Sequence, residues 1–67
     1  MRMNNLQKIR IDKGLSQGQL AIKAKVNKRT IEAWEQGTRN INHAQAETLY
    51  RVAKILGCSI EDLLTEL

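Results

Sequence analysis

The stretch A-I-K-A-K-V-N-K-R-T-I-E-A-W, residues 21–34, holds neither glycine nor proline, and whether the chain turns inside it decides the fold. By propensity alone it reads as one unbroken helix, since Ala, Lys, Ile and Glu are all well tolerated there. Phase argues against that. On a continuous helix advancing about 100° per residue from Leu20, the residues Ala24, Ile31 and Trp34 all fall within about 40° of one apolar face. Asn27 would then land on that face at about −20° and Lys28 beside it at about 80°, while Val26 would point away at about −120°. A break over Lys25, Val26 and Asn27 removes the conflict. Val26 turns to the core, Asn27 caps a new helix, and Lys28 and Arg29 occupy its exposed first turn.

Outward from this stretch the only clear period is helical, and no segment alternates like a strand. Asn4 or Asn5 can cap a first helix with Leu6, Ile9 and Arg10 inward, ended by Gly14 in the left-handed conformation. Ser16 followed by Gln19 forms a capping box that opens a second helix with Leu20, Ala21 and Ala24 inward. Gly37 ends the helix of Ile31 and Trp34. Asn42, with Gln45 three residues on, is expected to cap the next helix, whose apolar positions are Ala46, Leu49, Ala53 and Leu56. Gly57 closes it, and Ser59 with the acidic pair Glu61 and Asp62 starts a last short helix carrying Ile60, Leu63, Leu64 and Leu67. The expected fold is all-α, with five short helices in one domain spanning residues 1–67.

Composition narrows the function. At 67 residues and 42% hydrophobic content the chain suffices for one small core. A single Cys58 and a single His43 leave no disulfide and no metal-ligand cluster, so no cofactor is expected. There is no bilayer-length apolar run and no signal-peptide pattern, which fits a cytoplasmic protein with no membrane partner. The net charge is +4, unevenly spread. Residues 1–39 carry nine Lys and Arg against Asp12, Glu32 and Glu35, whereas residues 40–67 carry Arg51 and Lys54 against four carboxylates. A basic half on a small domain points to a polyanion, nucleic acid being the commonest. An enzyme is disfavoured, because no acid–base pair, no nucleophile with a base and no phosphate-cradling glycine loop is present. RNA recognition would call for exposed stacking aromatics, and the chain has only Trp34 and Tyr50.

The run G-L-S-Q-x-x-L-A, then Val26, then I-x-x-W-E-x-G, and later L-x-x-V-A-x-x-L-G-C-S-x-x-x-L resembles the phage repressor and Cro type of helix-turn-helix domain, the XRE family. The likeness extends over residues 5–66. It implies a compact, five-helix, lambda-repressor-like DNA-binding domain whose third helix enters the major groove. It also implies a homodimer on a palindromic operator, acting as a transcriptional regulator and most often a repressor. The same fold serves antitoxins that neutralise a protein partner and repress their own operon, and residues alone do not separate the two roles. One departure stands out: the family often has glycine where this chain has Lys25, a position that tends to positive φ, at a strain of about 1 kcal/mol for lysine.

The resemblance assigns roles. Lys28 and Arg29, the side chain types that pair best with guanine O6 and N7, lead the set for base contacts, with Asn27 beside them as the cap. Glu32 can accept from a cytosine amino group and Ala33 can meet a thymine methyl. Backbone phosphates fall to Gln17 at the start of the second helix, to Thr30, and to Arg39 and Asn40 in the loop after Gly37. Arg10 and Glu35 match a structural ion pair between the first and third helices. Trp34 shares a face with Ile31 and is expected in the core. Ile60, Leu63, Leu64 and Leu67 form the candidate dimer surface.

Overall fold

The computed structural model describes residues 4–64. Five α-helices follow in order: α1 (Asn5–Asp12), α2 (Gln17–Ala24), α3 (Lys28–Gln36), α4 (Ala46–Leu56) and α5 (Ile60–Leu63). A short 3₁₀ turn over Ile41–His43 lies between α3 and α4, and no strand occurs among the described residues. Each helix is too short to hold by itself, so its stability comes from the apolar stripe it contributes to a shared core. Leu6, Leu20, Ile31, Val52, Leu56 and Leu63, drawn from all five helices, are sealed from solvent. Each contributes about 1.5–3 kcal/mol relative to an exposed side chain. Trp34 is 4% exposed and belongs to this core.

The chain does turn at Lys25. The α2 helix ends at Ala24, Lys25 adopts φ 57° and ψ 46°, and Asn27 caps α3 by accepting the Arg29 N–H at 2.8 Å. The Val26 N–H reaches back to the Ala21 carbonyl at 2.9 Å, and the Lys25 N–H lies 3.3 Å from the Ile22 carbonyl. These two bonds satisfy carbonyls the helix end would otherwise leave open. Val26 is half-buried against the core, as the phase argument requires.

Three other helices end in the same manner. Leu15 N–H returns to Arg10 O past Gly14, Thr38 N–H to Ala33 O past Gly37, and Cys58 N–H to Ala53 O past Gly57. The pivot has positive φ in every case, 74°, 83° and 69°. Glycine serves at three of these ends and lysine at the fourth, although only glycine takes that conformation without steric cost.

The link from α3 to α4 differs from expectation. Asn42 does not cap α4. Asn40 accepts the Asn42 N–H at 2.9 Å and caps the 3₁₀ turn instead, while α4 starts after Gln45 with no side-chain cap bond. The cause is Ile41, which is buried and draws the link inward, so a separate turn is spent before α4 can begin.

Candidate nucleic-acid interface

The α3 helix is held from behind by side chains of α1 and α2. Arg10 Nε donates to Glu35 Oε2 at 2.7 Å and Arg10 Nη2 to Glu35 Oε1 at 3.0 Å, a bidentate pair with side chains 11% and 3% exposed. Arg10 Nη1 also donates to the Leu15 carbonyl, tying the same guanidinium to the turn before α2. Gln17 completes the cluster, its Nε2 donating to Glu35 Oε1 at 3.0 Å. The Gln17 amide therefore faces the ion pair, and since Ser16 Oγ accepts the Gln19 N–H at 3.0 Å, only the N–H groups of the first turn of α2 ahead of Gln19 are left for a phosphate.

Asn4 holds α3 at a second point. Its Oδ1 accepts from Gln7 N–H and caps α1, while its Nδ2 donates to the carbonyls of Trp34, at 2.8 Å, and Glu35, at 3.3 Å. One side chain thus closes the start of α1 and the end of α3. Nothing in the sequence signals this contact, because it joins residues 30 and 31 positions apart. The type of residue 4 is visible as a cap, but its second partner is fixed only by how α1 and α3 pack.

With its back fixed, α3 presents the opposite face. Lys28 and Arg29 are exposed on its first turn, and Glu32 and Ala33 are half-exposed one turn later. Two cations at a helix N-terminus oppose the helix dipole, a local cost that an anion placed there would reverse. Asn27 is exposed but its Oδ1 is committed to the Arg29 N–H. Gln36 is a residue the motif reading passed over. It lies seven positions beyond Arg29, within about 20° of its direction on the helix. It is exposed, and glutamine pairs bidentately with adenine N6 and N7. Phase alone would have found it.

Beside α3 runs the loop after Gly37. Arg39 Nη1 lies 3.4 Å from Thr30 Oγ1, so the two residues expected at phosphates are neighbours across a shallow hollow. Asn40 is exposed on the same loop, with its side-chain oxygen occupied by the 3₁₀ turn. Arg51 was missed by the sequence reading. Its Nε donates to the Ala24 carbonyl at 2.9 Å and its Nη1 to Glu47 at 3.0 Å, which braces the end of α2 against α4.

Of the candidate dimer surface, Leu63 is withdrawn. Leu63 has no exposed surface and packs inside the same chain, because α5 lays its apolar stripe on α1 and α4. Ile60 and Leu64 are half-buried against that core, and Leu67 lies outside the described residues. No helix among the described residues is long and apolar enough to cross a membrane, and no group of three or more possible metal ligands occurs among them.

A family of helix-turn-helix domains matches residues 3–66. The crystal structure of the restriction-modification controller protein C.AhdI from Aeromonas hydrophila is similar with a TM-score of 0.76 at 27% identity, over 90% of this chain and 86% of that one. The N-terminal DNA binding domain of SinR from Bacillus subtilis is similar with a TM-score of 0.80 at 30% identity, over 91% of this chain and 86% of that one. No curated protein sequence matches the chain.

Proposed function

The chain belongs to the helix-turn-helix domain family, of the phage repressor and Cro (XRE) type, and from that premise we propose that it is a repressor reading a palindromic operator as a homodimer. What carries the reading is the contrast between the two sides of α3. Its back is pinned by Asn4, Arg10 and Gln17, while its front offers the exposed side chains of Lys28 and Arg29, with no ion-pair partner for either among the described residues. A rigid helix with a free basic tip is what direct readout of a major groove needs.

In this reading Lys28 and Arg29 contact base edges or the phosphates beside them, Glu32 and Ala33 refine the preference, and Asn27 orients the tip as its cap. Arg39, Thr30 and Asn40 hold one strand, and the first turn of α2 at Gln17 holds the other through backbone N–H groups. A single module of this size buries about 600–1,000 Å² on DNA, too little for tight binding alone. Two copies on half-sites about 34 Å apart supply the remainder. The two similar proteins, a restriction-modification controller and a DNA-binding domain by their descriptions, agree with a regulatory role.

The test is selection of bound duplexes from a random pool at fixed salt, repeated with Arg29→Ala. Enrichment of a two-fold symmetric site, with loss of preference at one position per half-site in the variant, is the expected result. Uniform weakening across all sequences would demote Arg29 to a phosphate contact, and failure to enrich any sequence would refute sequence-specific binding.

A further inference from the structure

The left-handed conformation at Lys25 is the one place among the described residues where a residue other than glycine has positive φ. The equivalent pivots at the ends of α1, α3 and α4 are Gly14, Gly37 and Gly57. Glycine would relieve the strain at residue 25 as it does at those three ends, so the lysine is kept at a cost to the folded state. Strain of this kind, once observed, calls for a use of the side chain.

The surroundings of Lys25 suggest the use. Beside α3, the hollow bounded by Arg29, Ala33 and Thr38 shares Asn27, Thr30 and Arg39 with a second hollow. Lys25, His43 and Arg51 are among the residues that line this second hollow. The two form one trough from the flank of α3 to the start of α4. Arg29, Arg39, Lys25 and Arg51 line it, and no carboxylate does among the described residues. Arg51 is partly neutralised by Glu47 and committed to the Ala24 carbonyl. Lys25, exposed and with no partner for its ammonium among the described residues, is the cation left for a ligand at that end.

We propose that Lys25 is a DNA-backbone contact, and that this trough carries consecutive phosphates of the strand bordering the groove that α3 enters. The inference rests on the DNA-binding reading above and extends its phosphate track beyond the loop after Gly37, back to the turn between α2 and α3. Lysine at this pivot then exchanges some folding stability for affinity. A free phosphate-bearing molecule would find the same chemistry, and the experiment separates the two sources.

Lys25→Gly, Lys25→Asn and Lys25→Arg are compared with the parent in urea unfolding and in binding to the selected duplex across a range of salt. Lys25→Gly is expected to unfold at higher urea yet bind several-fold more weakly. Its slope of log affinity against log salt should be shallower by about 0.9 for each bound copy. Lys25→Asn, which tolerates the left-handed conformation without glycine's freedom, should show the same loss of binding, and Lys25→Arg should keep the slope. Unchanged affinity and slope in Lys25→Gly and Lys25→Asn, or a less stable Lys25→Gly, would overturn the proposal while leaving DNA binding itself intact. A parent with no salt-dependent binding would overturn the underlying reading as well. Inorganic phosphate shifting the Lys25 and Arg39 amide resonances, with duplex binding of the variants unaltered, would assign the trough to a free phosphate and refute the backbone contact.

Discussion

Arg10 and Glu35 face each other across the α1–α3 contact with two hydrogen bonds, 2.7 and 3.0 Å long, their side chains only 11% and 3% exposed. Such a pair contributes little net stability, because removing both charges from water offsets most of their attraction. Its value lies in geometry, since a planar guanidinium accepts the carboxylate in one orientation only.

Breaking one side should therefore cost far more than removing both. Arg10→Met is expected to lose about 3–5 kcal/mol by stranding the Glu35 carboxylate with Gln17 as its remaining donor. Arg10→Met combined with Glu35→Leu should recover most of that loss. Urea unfolding of the single and double variants decides the matter, and a strictly additive double variant would refute the coupling.

Asn4 offers a cleaner dissection of one side chain with two jobs. Asn4→Ser keeps an acceptor that caps α1 and loses the donors to α3 without placing a charge against its carbonyls, so about 1 kcal/mol should disappear. Asn4→Ala, losing the cap as well, should cost about 2 kcal/mol. No loss in the first variant would show that the bonds to Trp34 and Glu35 carry no weight, and equal losses in the two would show that the cap carries none.

Leu63 is sealed in the core and Leu64 is not. Leu63→Ala should cost about 2–5 kcal/mol, with an unfolding midpoint that shifts equally at every protein concentration. A loss that grows with protein concentration and vanishes on dilution would instead return Leu63 to an interface between copies.

Burial, aided by the nearby Asp62 carboxylate, pushes the Cys58 thiol above its ordinary value. The thiol should accordingly react with iodoacetamide more slowly at pH 8 than an unstructured cysteine peptide does. Linkage gives a second readout. A folded pKa above the unfolded one favours the fold below the unfolded value, and that advantage fades as pH rises through the folded value. Cys58→Ser should flatten the alkaline fall in stability that this thiol causes.

Much of this was legible because it is local. The pivots at Gly14, Gly37 and Gly57, the capping box of Ser16 and Gln19, and the cap at Asn27 are each written within a few residues of where they act. The turn at Lys25 had no composition signal and was found from phase, since Val26 and Ile31 cannot share a continuous helix face. Contacts closing across the fold left no such trace. The bonds of Asn4 to Trp34, of Arg51 to Ala24 and of Gln17 to Glu35 join residues 30, 27 and 18 positions apart, and no spacing rule reaches them. Asn42 misled because Asn, like Ser, suits a helix start wherever it stands, and the burial of Ile41 moved that start three residues on. Leu63 misled because a stripe at helical spacing looks the same whether it meets its own chain or another.

Asn4 takes hold of α3 through main-chain carbonyls, groups that every residue at those positions would supply. Its hold does not depend on which side chains α3 displays outward at Lys28, Arg29, Glu32, Ala33 and Gln36. The outward letters can be rewritten while the mounting stays the same, which makes this helix an exchangeable reading head: new operator preferences are open to it by substitution at a handful of positions, without refitting the frame behind them.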